Sequence, residues 1–146
     1  MAVGAPDPST LGPLSRKVMR YNELIEQVVE AAKAPGFQPS GWDVLEEVVS
    51  RDTFERIGNF KERMDWAGYT AMLTQWGTVT DFWSNFRRIS EVGNLVFLEL
   101  EEHNTVRGQE ETVVNSLSLY EFDAAGKICH LDIYLQYQPP GHEGWG

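Results

Sequence analysis

The sequence predicts an α+β fold, in which helices pack on one face of a curved antiparallel sheet. Two observations indicate this class. Apolar residues recur every three or four positions in the first half of the 146-residue chain, as in amphipathic helices, and every second position in the second half, as in strands. Helices that come early and strands that come late are typical of an antiparallel sheet with its helices on one side.

Three helices are expected in the first half. Residues 14–34 place their apolar side chains on one stripe, and Pro35-Gly36 ends that helix. Residues 40–43, Ser-Gly-Trp-Asp, resemble a capping box that opens a short helix through about Val49. Asp65 begins the third helix, one face of which carries Trp66, Tyr69, Leu73 and Trp76.

Five strands are expected. A short strand lies in residues 52–60, between the second and third helices. Period-two alternation then predicts four long strands, which turn-forming residues such as Gly93-Asn94 and Arg107-Gly108 join into a meander. The four strands span residues 80–90, 95–106, 112–122 and 127–137.

One domain is expected, in residues 14–137. Residues 1–13 contain three prolines and two glycines without an apolar period, which predicts a disordered leader, and residues 138–146 are expected to form a flexible tail. The net charge of −10 argues against nucleic acid or an anionic membrane as partner. Because Cys129 is the only cysteine and no apolar run approaches 18 residues, we expect a cytoplasmic protein without disulfides or membrane spans.

Alternation sorts the strand residues into two faces. The faces expected to pack against the helices are apolar, with Glu102 and Asn115 as their informative polar members. A buried carboxylate is costly unless it is paired or protonated, so Glu102 is a candidate site residue; alternatively it lies near the strand end and reaches water. The apolar members are Val96, Leu98, Leu100, Val113, Leu117, Leu119, Cys129, Leu131, Ile133 and Leu135.

Two segments carry a resemblance to a known superfamily. YEFDAAGKICHLDIYLQ, residues 120–136, is similar to the closing F-D-x-x-G-K-I hairpin of nuclear transport factor 2-like proteins, and VVSRDTFERIG, residues 48–58, resembles their entry to the first strand. The chain therefore resembles SnoaL-like polyketide cyclases and ketosteroid isomerases over residues 14–136. The resemblance implies a cone-shaped α+β barrel, chemistry without a cofactor, and a homodimer that forms through the outer sheet face, where Phe97 and Tyr134 are expected.

The resemblance to ketosteroid isomerases also implies roles for single residues. Tyr21, in MRYNELIE, matches the tyrosine that donates to the substrate oxyanion, and Asn115 matches the second donor. Asn keeps the ability to donate a hydrogen bond at every pH. The general base of the isomerases falls at Ile57, so Glu55, on the same strand face, is the nearest substitute.

Other members of the superfamily match less completely. Glu102 matches one catalytic aspartate of limonene-epoxide hydrolases, but Leu100 and Ile133 replace their arginine and second aspartate. Scytalone dehydratase uses a histidine pair, whereas alternation places His103 and His130 on the face opposite the apolar one.

Two functions remain open. In the first, Tyr21 and Asn115 donate to a carbonyl or enolate oxygen while Glu55 or Glu102 moves the proton, as in an isomerase, cyclase or dehydratase. In the second, Tyr21 is an ordinary core residue, and the chain binds an apolar small molecule or dimerises without catalysis. The predicted ligand-binding wall is apolar and consists of Tyr69, Leu73, Trp76, Phe86, Leu98, Leu117 and Ile133.

Two further clusters are weaker candidates. His130, Asp132 and Tyr134 lie on one strand face and could form an acid–base set, or simply a half-polar outer face that meets a second subunit. Glu99, Glu101, Glu102 and His103 lack a second pair of ligands at metal-binding spacing, so no metal is expected.

Overall fold

The computed structural model describes residues 2–138. The expected tail therefore lies outside the described residues, apart from Gln138. The chain forms helix α1 (Pro13–Ala31), a 3₁₀ helix (Pro39–Glu47), strands β1 (Glu55–Ile57) and β2 (Arg63–Met64), helix α2 (Trp66–Gly77), and strands β3 (Thr80–Val92), β4 (Leu95–Val106), β5 (Thr112–Phe122) and β6 (Ile128–Gln136).

The six strands form one curved sheet in the order β2-β1-β6-β5-β4-β3. Strands β3 to β6 form the predicted antiparallel meander, but β1 pairs with β6 in parallel, so the sheet is mixed rather than wholly antiparallel. Within residues 2–138 the end strands β2 and β3 do not pair with each other, so the sheet stays open and is not a closed barrel. Strand β2 is too short to produce a sequence period, which explains why the pattern did not predict it.

The helices cover one face of the sheet and form the core with it. Helix α1 buries its apolar stripe, with Val18, Leu24 and Val29 almost fully shielded. Helix α2 begins directly after Asp65, where its start was predicted, and the Asp65 side chain caps it by accepting a hydrogen bond from the Gly68 amide at 2.8 Å.

The second predicted helix is a 3₁₀ helix. Its Trp42 donates a hydrogen bond to Thr74 Oγ1 on α2 at 2.9 Å, and Leu45 is fully buried. These contacts hold the segment against the core. Because the segment has only nine residues, an α-helix there would gain little stability of its own, and the tertiary contacts decide its conformation.

The segment before α1 is attached to the sheet rather than disordered. Val3 donates its amide to Ser84 O at 2.8 Å and accepts from the Phe86 amide at 2.8 Å, which forms a parallel bridge to β3. The sequence of residues 1–13 did not predict this contact, because a bridge made by backbone groups does not require a periodic pattern of apolar residues.

Strand β5 presents the opposite face to the helices from the one predicted. Ser116, Ser118 and Tyr120 are buried against the helical side, whereas Asn115 is exposed on the outer face. The predicted inward set Val113, Asn115, Leu117 and Leu119 is therefore outward. The prediction was wrong because it assumed that the more apolar face of a strand always faces the core.

No helix in residues 2–138 has both the length and the apolar character needed to cross a membrane.

Candidate functional site

A cavity of about 310 Å³ lies between the helices and the inner face of the sheet. Its size is at the lower end of the range for small-molecule pockets, so it suits a ligand of one or two rings. Side chains from α1, α2, β1 and the meander line it. The apolar part of the wall includes Met72, Leu73, Trp76, Phe82, Leu100 and Ile133.

Three buried tyrosines line the cavity together: Tyr21, Tyr69 and Tyr120. The Tyr21 hydroxyl donates to the Tyr69 hydroxyl at 3.4 Å, and the rings of Tyr21 and Tyr120 meet edge to face with centroids 5.5 Å apart. Burial raises the pKa of all three hydroxyls above the ordinary value of 10.0, so each stays protonated at neutral pH. The cavity therefore contains several hydrogen-bond donors in an apolar setting.

Helix α1 supplies two further polar side chains. Asn22 donates to the Tyr120 hydroxyl at 3.2 Å and to the Val18 carbonyl at 2.9 Å, and Glu26 lines the cavity one helical turn later. The sequence analysis missed both, although their spacing of four places them on one helix face.

Glu102 places a carboxylate in the cavity from the inner face of β4. It is half-buried, between Leu100 and Asn104 on the same strand face. Its negative charge contributes to the raised pKa of both Tyr69 and Tyr120. Glu102 and the three tyrosines thus line one cavity, where they can contact the same ligand.

Arg56 places a cation in the same cavity from β1. Its guanidinium carbon lies 5.0 Å from the centre of the Tyr69 ring, and its Nη1 lies 3.7 Å from Glu62 Oε1. The positive charge acts to lower the pKa of Tyr21 and Tyr69, against the larger effect of burial. The sequence analysis considered only Glu55 and Ile57 on this strand, although alternation required Arg56 to face the other way.

No family model matches the sequence, and no curated protein matches it. Solved structures do match. An LEH-like epoxide hydrolase from M. tuberculosis is 14% identical, with a TM-score of 0.59, and the match covers 82% of this chain and 83% of that one. A candidate SnoaL-like polyketide cyclase from Jannaschia sp. CCS1 is 11% identical, with a TM-score of 0.62 and coverage of 90% and 92%. An NTF2-like protein of unknown function from Exiguobacterium sp. 255-15 is 15% identical, with a TM-score of 0.60 and coverage of 82% and 98%.

The chain has the nuclear transport factor 2-like fold. This confirms the architecture that the sequence motifs implied, apart from the parallel pairing of β1 and the open sheet. Since one fold supports many activities, the chemistry has to be argued from the cavity residues of this chain.

In this nuclear transport factor 2-like fold, the cavity contains two of the four predicted catalytic residues. Tyr21 and Glu102 line it, but Asn115 and Glu55 do not. Asn115 is exposed on the outer face of β5, and Glu55 points to the outer face of β1 because its neighbour Arg56 points inward.

Four of the seven residues of the predicted ligand-binding wall lie around the cavity. Tyr69, Leu73, Trp76 and Ile133 line the cavity. The other three members lie elsewhere: Leu98 is buried in the core, Phe86 packs against the core beside the cavity, and Leu117 faces outward with the rest of its strand face.

The second acid–base candidate lies on the outer face of the sheet. His130 Nε2 is 2.9 Å from Asp132 Oδ1, and its Nδ1 is 3.3 Å from Glu55 Oε1. Tyr134, on the same strand face, is 56% exposed. These residues are separated from the cavity by the sheet itself, as the alternative interpretation of this face expected.

A second histidine cluster lies on the outer face of β3 and β4. His103 stacks on Trp83, and its two ring nitrogens contact Glu101 and Glu111. Among residues 2–138, no group of three or more His, Cys, Asp or Glu side chains has an arrangement that could hold a metal ion.

Proposed function

We propose that this chain is an acid–base enzyme that acts on an apolar small molecule with a carbonyl group, as an isomerase, cyclase or dehydratase. The main support is the combination found in the cavity: the Glu102 carboxylate together with three protonated, buried tyrosine hydroxyls. Proton abstraction next to a carbonyl needs a base and a donor for the oxygen that becomes negative.

Glu102 is the proposed base. It removes a proton from the carbon next to the substrate carbonyl and returns it to another atom of the same molecule. Positioned carboxylates that transfer protons in this way contribute about 10²- to 10⁴-fold to the rate. Much of the cavity wall is apolar, which would strengthen the interactions of Glu102 with a bound ligand.

Tyr69 and Tyr120 are the proposed oxyanion donors. Tyr69 accepts a hydrogen bond from Tyr21, and Tyr120 accepts one from Asn22, so each has its own proton left to donate to a ligand. Tyr21 then acts through Tyr69, which differs from the direct contact that the ketosteroid isomerase resemblance implied.

Two solved structures with this fold are named as an LEH-like epoxide hydrolase and a candidate SnoaL-like polyketide cyclase, which supports a small-molecule site in the cavity. Carbonyl chemistry fits this chain better than the epoxide mechanism considered from the sequence. Leu100 and Ile133 both line the cavity and cannot replace the charged partners that mechanism requires.

Exchange of carbon-bound protons for solvent deuterium tests the proposal without knowledge of the natural substrate. We would incubate 2-tetralone and related ketones in D₂O and follow loss of the α-proton signals by NMR. Wild type should accelerate exchange, and Glu102→Gln should lower the rate by about 10²- to 10⁴-fold. The control is Glu110→Gln, in the exposed turn between β4 and β5, which should leave the rate unchanged.

Retention of exchange in Glu102→Gln would remove Glu102 as the base. Thermal stabilisation by ketones without any exchange would favour the second function, a non-catalytic binding module. The existing contacts between Tyr21 and Tyr69 and between Asn22 and Tyr120 favour that alternative, because a partnered polar network also stabilises a ligand pocket that does no chemistry.

We also propose a homodimer formed through the outer sheet face. Three large apolar side chains are about half exposed there: Trp83, Val113 and Tyr134. Exposed apolar residues that gather on one face are typical of protein interfaces.

A further inference from the structure

We propose that the cavity binds a ligand with a carboxylate group and that Arg56 is the residue that binds this carboxylate. The inference rests on the proposed small-molecule site but not on catalysis. It narrows the ligand from an apolar carbonyl compound to one that is also an acid.

Arg56 carries an unsatisfied hydrogen-bond donor. Arg56 Nε is shielded from solvent and has no hydrogen-bond partner within residues 2–138. Buried N–H groups without a partner are rare, because each loses its bond to water without a replacement. In the described part of the chain, the other side-chain atom that is buried without a partner is Thr80 Oγ1, and Thr80 does not line the cavity.

The Arg56 guanidinium is held in place by its neighbours in the cavity wall. Its side chain is only 14% exposed, it lies over the Tyr69 ring, and Glu62 approaches Nη1 no closer than 3.7 Å. Gly58 makes room for the Arg56–Glu62 pair, since a Cβ there would overlap the Glu62 carboxylate and lie 2.9 Å from Arg56 Nη1. An arginine that is fixed by stacking, and whose ion pair to Glu62 is long and made through one nitrogen, is prepared for a bidentate ligand such as a carboxylate.

Arg56 and Glu102 lie at different places along the sheet. Strand register places Arg56 opposite Leu131, and Leu131 opposite Tyr120, which pairs with the N-terminal end of β4. Glu102 lies in the C-terminal half of β4. Arg56 and Glu102 therefore enter the same cavity from different positions along the sheet. Tyr69 and Tyr120 line the same cavity as Arg56 and Glu102, so a ligand held by Arg56 would extend past the tyrosines toward Glu102.

Calorimetric titration with 2-naphthoate and its neutral isostere 2-naphthamide tests the assignment. Wild type should bind naphthoate about tenfold or more tightly than naphthamide, as expected for a hydrogen bond to a charged group. Arg56→Gln should remove that preference while it keeps naphthamide affinity. Arg63→Gln is the matched control, since Arg63 lies on the neighbouring strand with a side chain that is 67% exposed, and the preference should persist.

Equal affinity of wild type for the two probes, no binding of naphthoate, or an unchanged preference in Arg56→Gln would each overturn the proposal. Thermal unfolding shows whether Arg56→Gln folds; Arg56→Lys, which keeps the charge but loses the planar fork, should retain part of the preference. A carboxylate preference without proton exchange would support this inference and contradict the proposed enzyme. Proton exchange without a preference for the carboxylate would support the proposed enzyme and contradict the inference about Arg56.

Discussion

His103 shows how one side chain on the outer face is fixed by its neighbours. Its ring stacks on Trp83 with centroids 3.9 Å apart, and its two nitrogens lie 2.8 Å from Glu101 and 2.9 Å from Glu111. Arg87 also contacts Glu101, at 2.8 Å. The hydrogen bonds to Glu111 and Glu101 raise the pKa of His103 above 6.5, and the bond to His103 is the largest cause that lowers the pKa of Glu101 to about 2.

The stability of the fold should therefore depend on the charge of His103. A histidine whose pKa is raised on folding stabilises fully below its unfolded pKa, near 6.5, and this contribution is lost as the pH rises through the folded value. The two glutamates, with lowered pKa, contribute above their ordinary 4.5 and lose that contribution as the pH falls.

Urea unfolding of wild type and His103→Gln from pH 5 to pH 9 checks this expectation. The loss of unfolding free energy in His103→Gln should be largest between about pH 5 and pH 6, where the imidazolium and both glutamates are charged. The loss should shrink at higher pH. A difference that is constant over the whole range would show that packing on Trp83, rather than charge, is what His103 contributes.

At the scale of elements, hydrophobic pattern predicted where strands lie better than which way they face. The bounds of β4 and β5 and the start of α2 at Asp65 agree with the sequence analysis. Strand β5 was assigned the wrong face because its cavity side carries Ser116, Ser118 and Tyr120, whereas Leu117 and Leu119 lie outside. A cavity needs small and polar residues on the inner face, which reverses the pattern that a filled core produces.

The difficulty of telling which strand face points inward also explains which cavity residues were predicted from the sequence and which were missed. Glu102 was predicted because a carboxylate on an otherwise apolar strand face is conspicuous, and Tyr21 because its segment resembles that of ketosteroid isomerases. Arg56 was missed because β1 has only three residues, which is too short for alternation to show which ones face inward. The position of β1 beside β6, which decides this, is a long-range pairing that no local pattern contains.

The bridge between Val3 and β3 makes a prediction about the N-terminal segment. Val3→Pro removes the amide that donates to Ser84 O and should lower the unfolding free energy by about 1 kcal/mol. Val3→Ala keeps both backbone bonds and loses only a side chain that is 58% exposed, so it should be close to neutral. Chemical denaturation compares the two variants; equal effects would mean that the side chain, not the bridge, attaches the segment.

At the scale of the whole molecule, the proposed homodimer forms through the outer face of the sheet. Tyr134→Glu places a charge on the proposed interface and should shift the mass measured by light scattering from dimer to monomer, since loss of a central aromatic contact costs about 2 kcal/mol or more. Phe60→Glu is the control: Phe60 is 76% exposed but lies in the turn between β1 and β2. A monomeric wild type, or a dimeric Tyr134→Glu, would contradict the interface.

The parallel pairing of β1 with β6 also has a consequence for the order of events in folding. Arg56 reaches its place in the wall only when β1 docks on Leu131, in the last strand of the described chain. Such a contact requires closure of a long loop, and contacts of this kind slow folding. During synthesis the meander must leave the ribosome before the wall can close, so the capacity to bind a ligand should arise last.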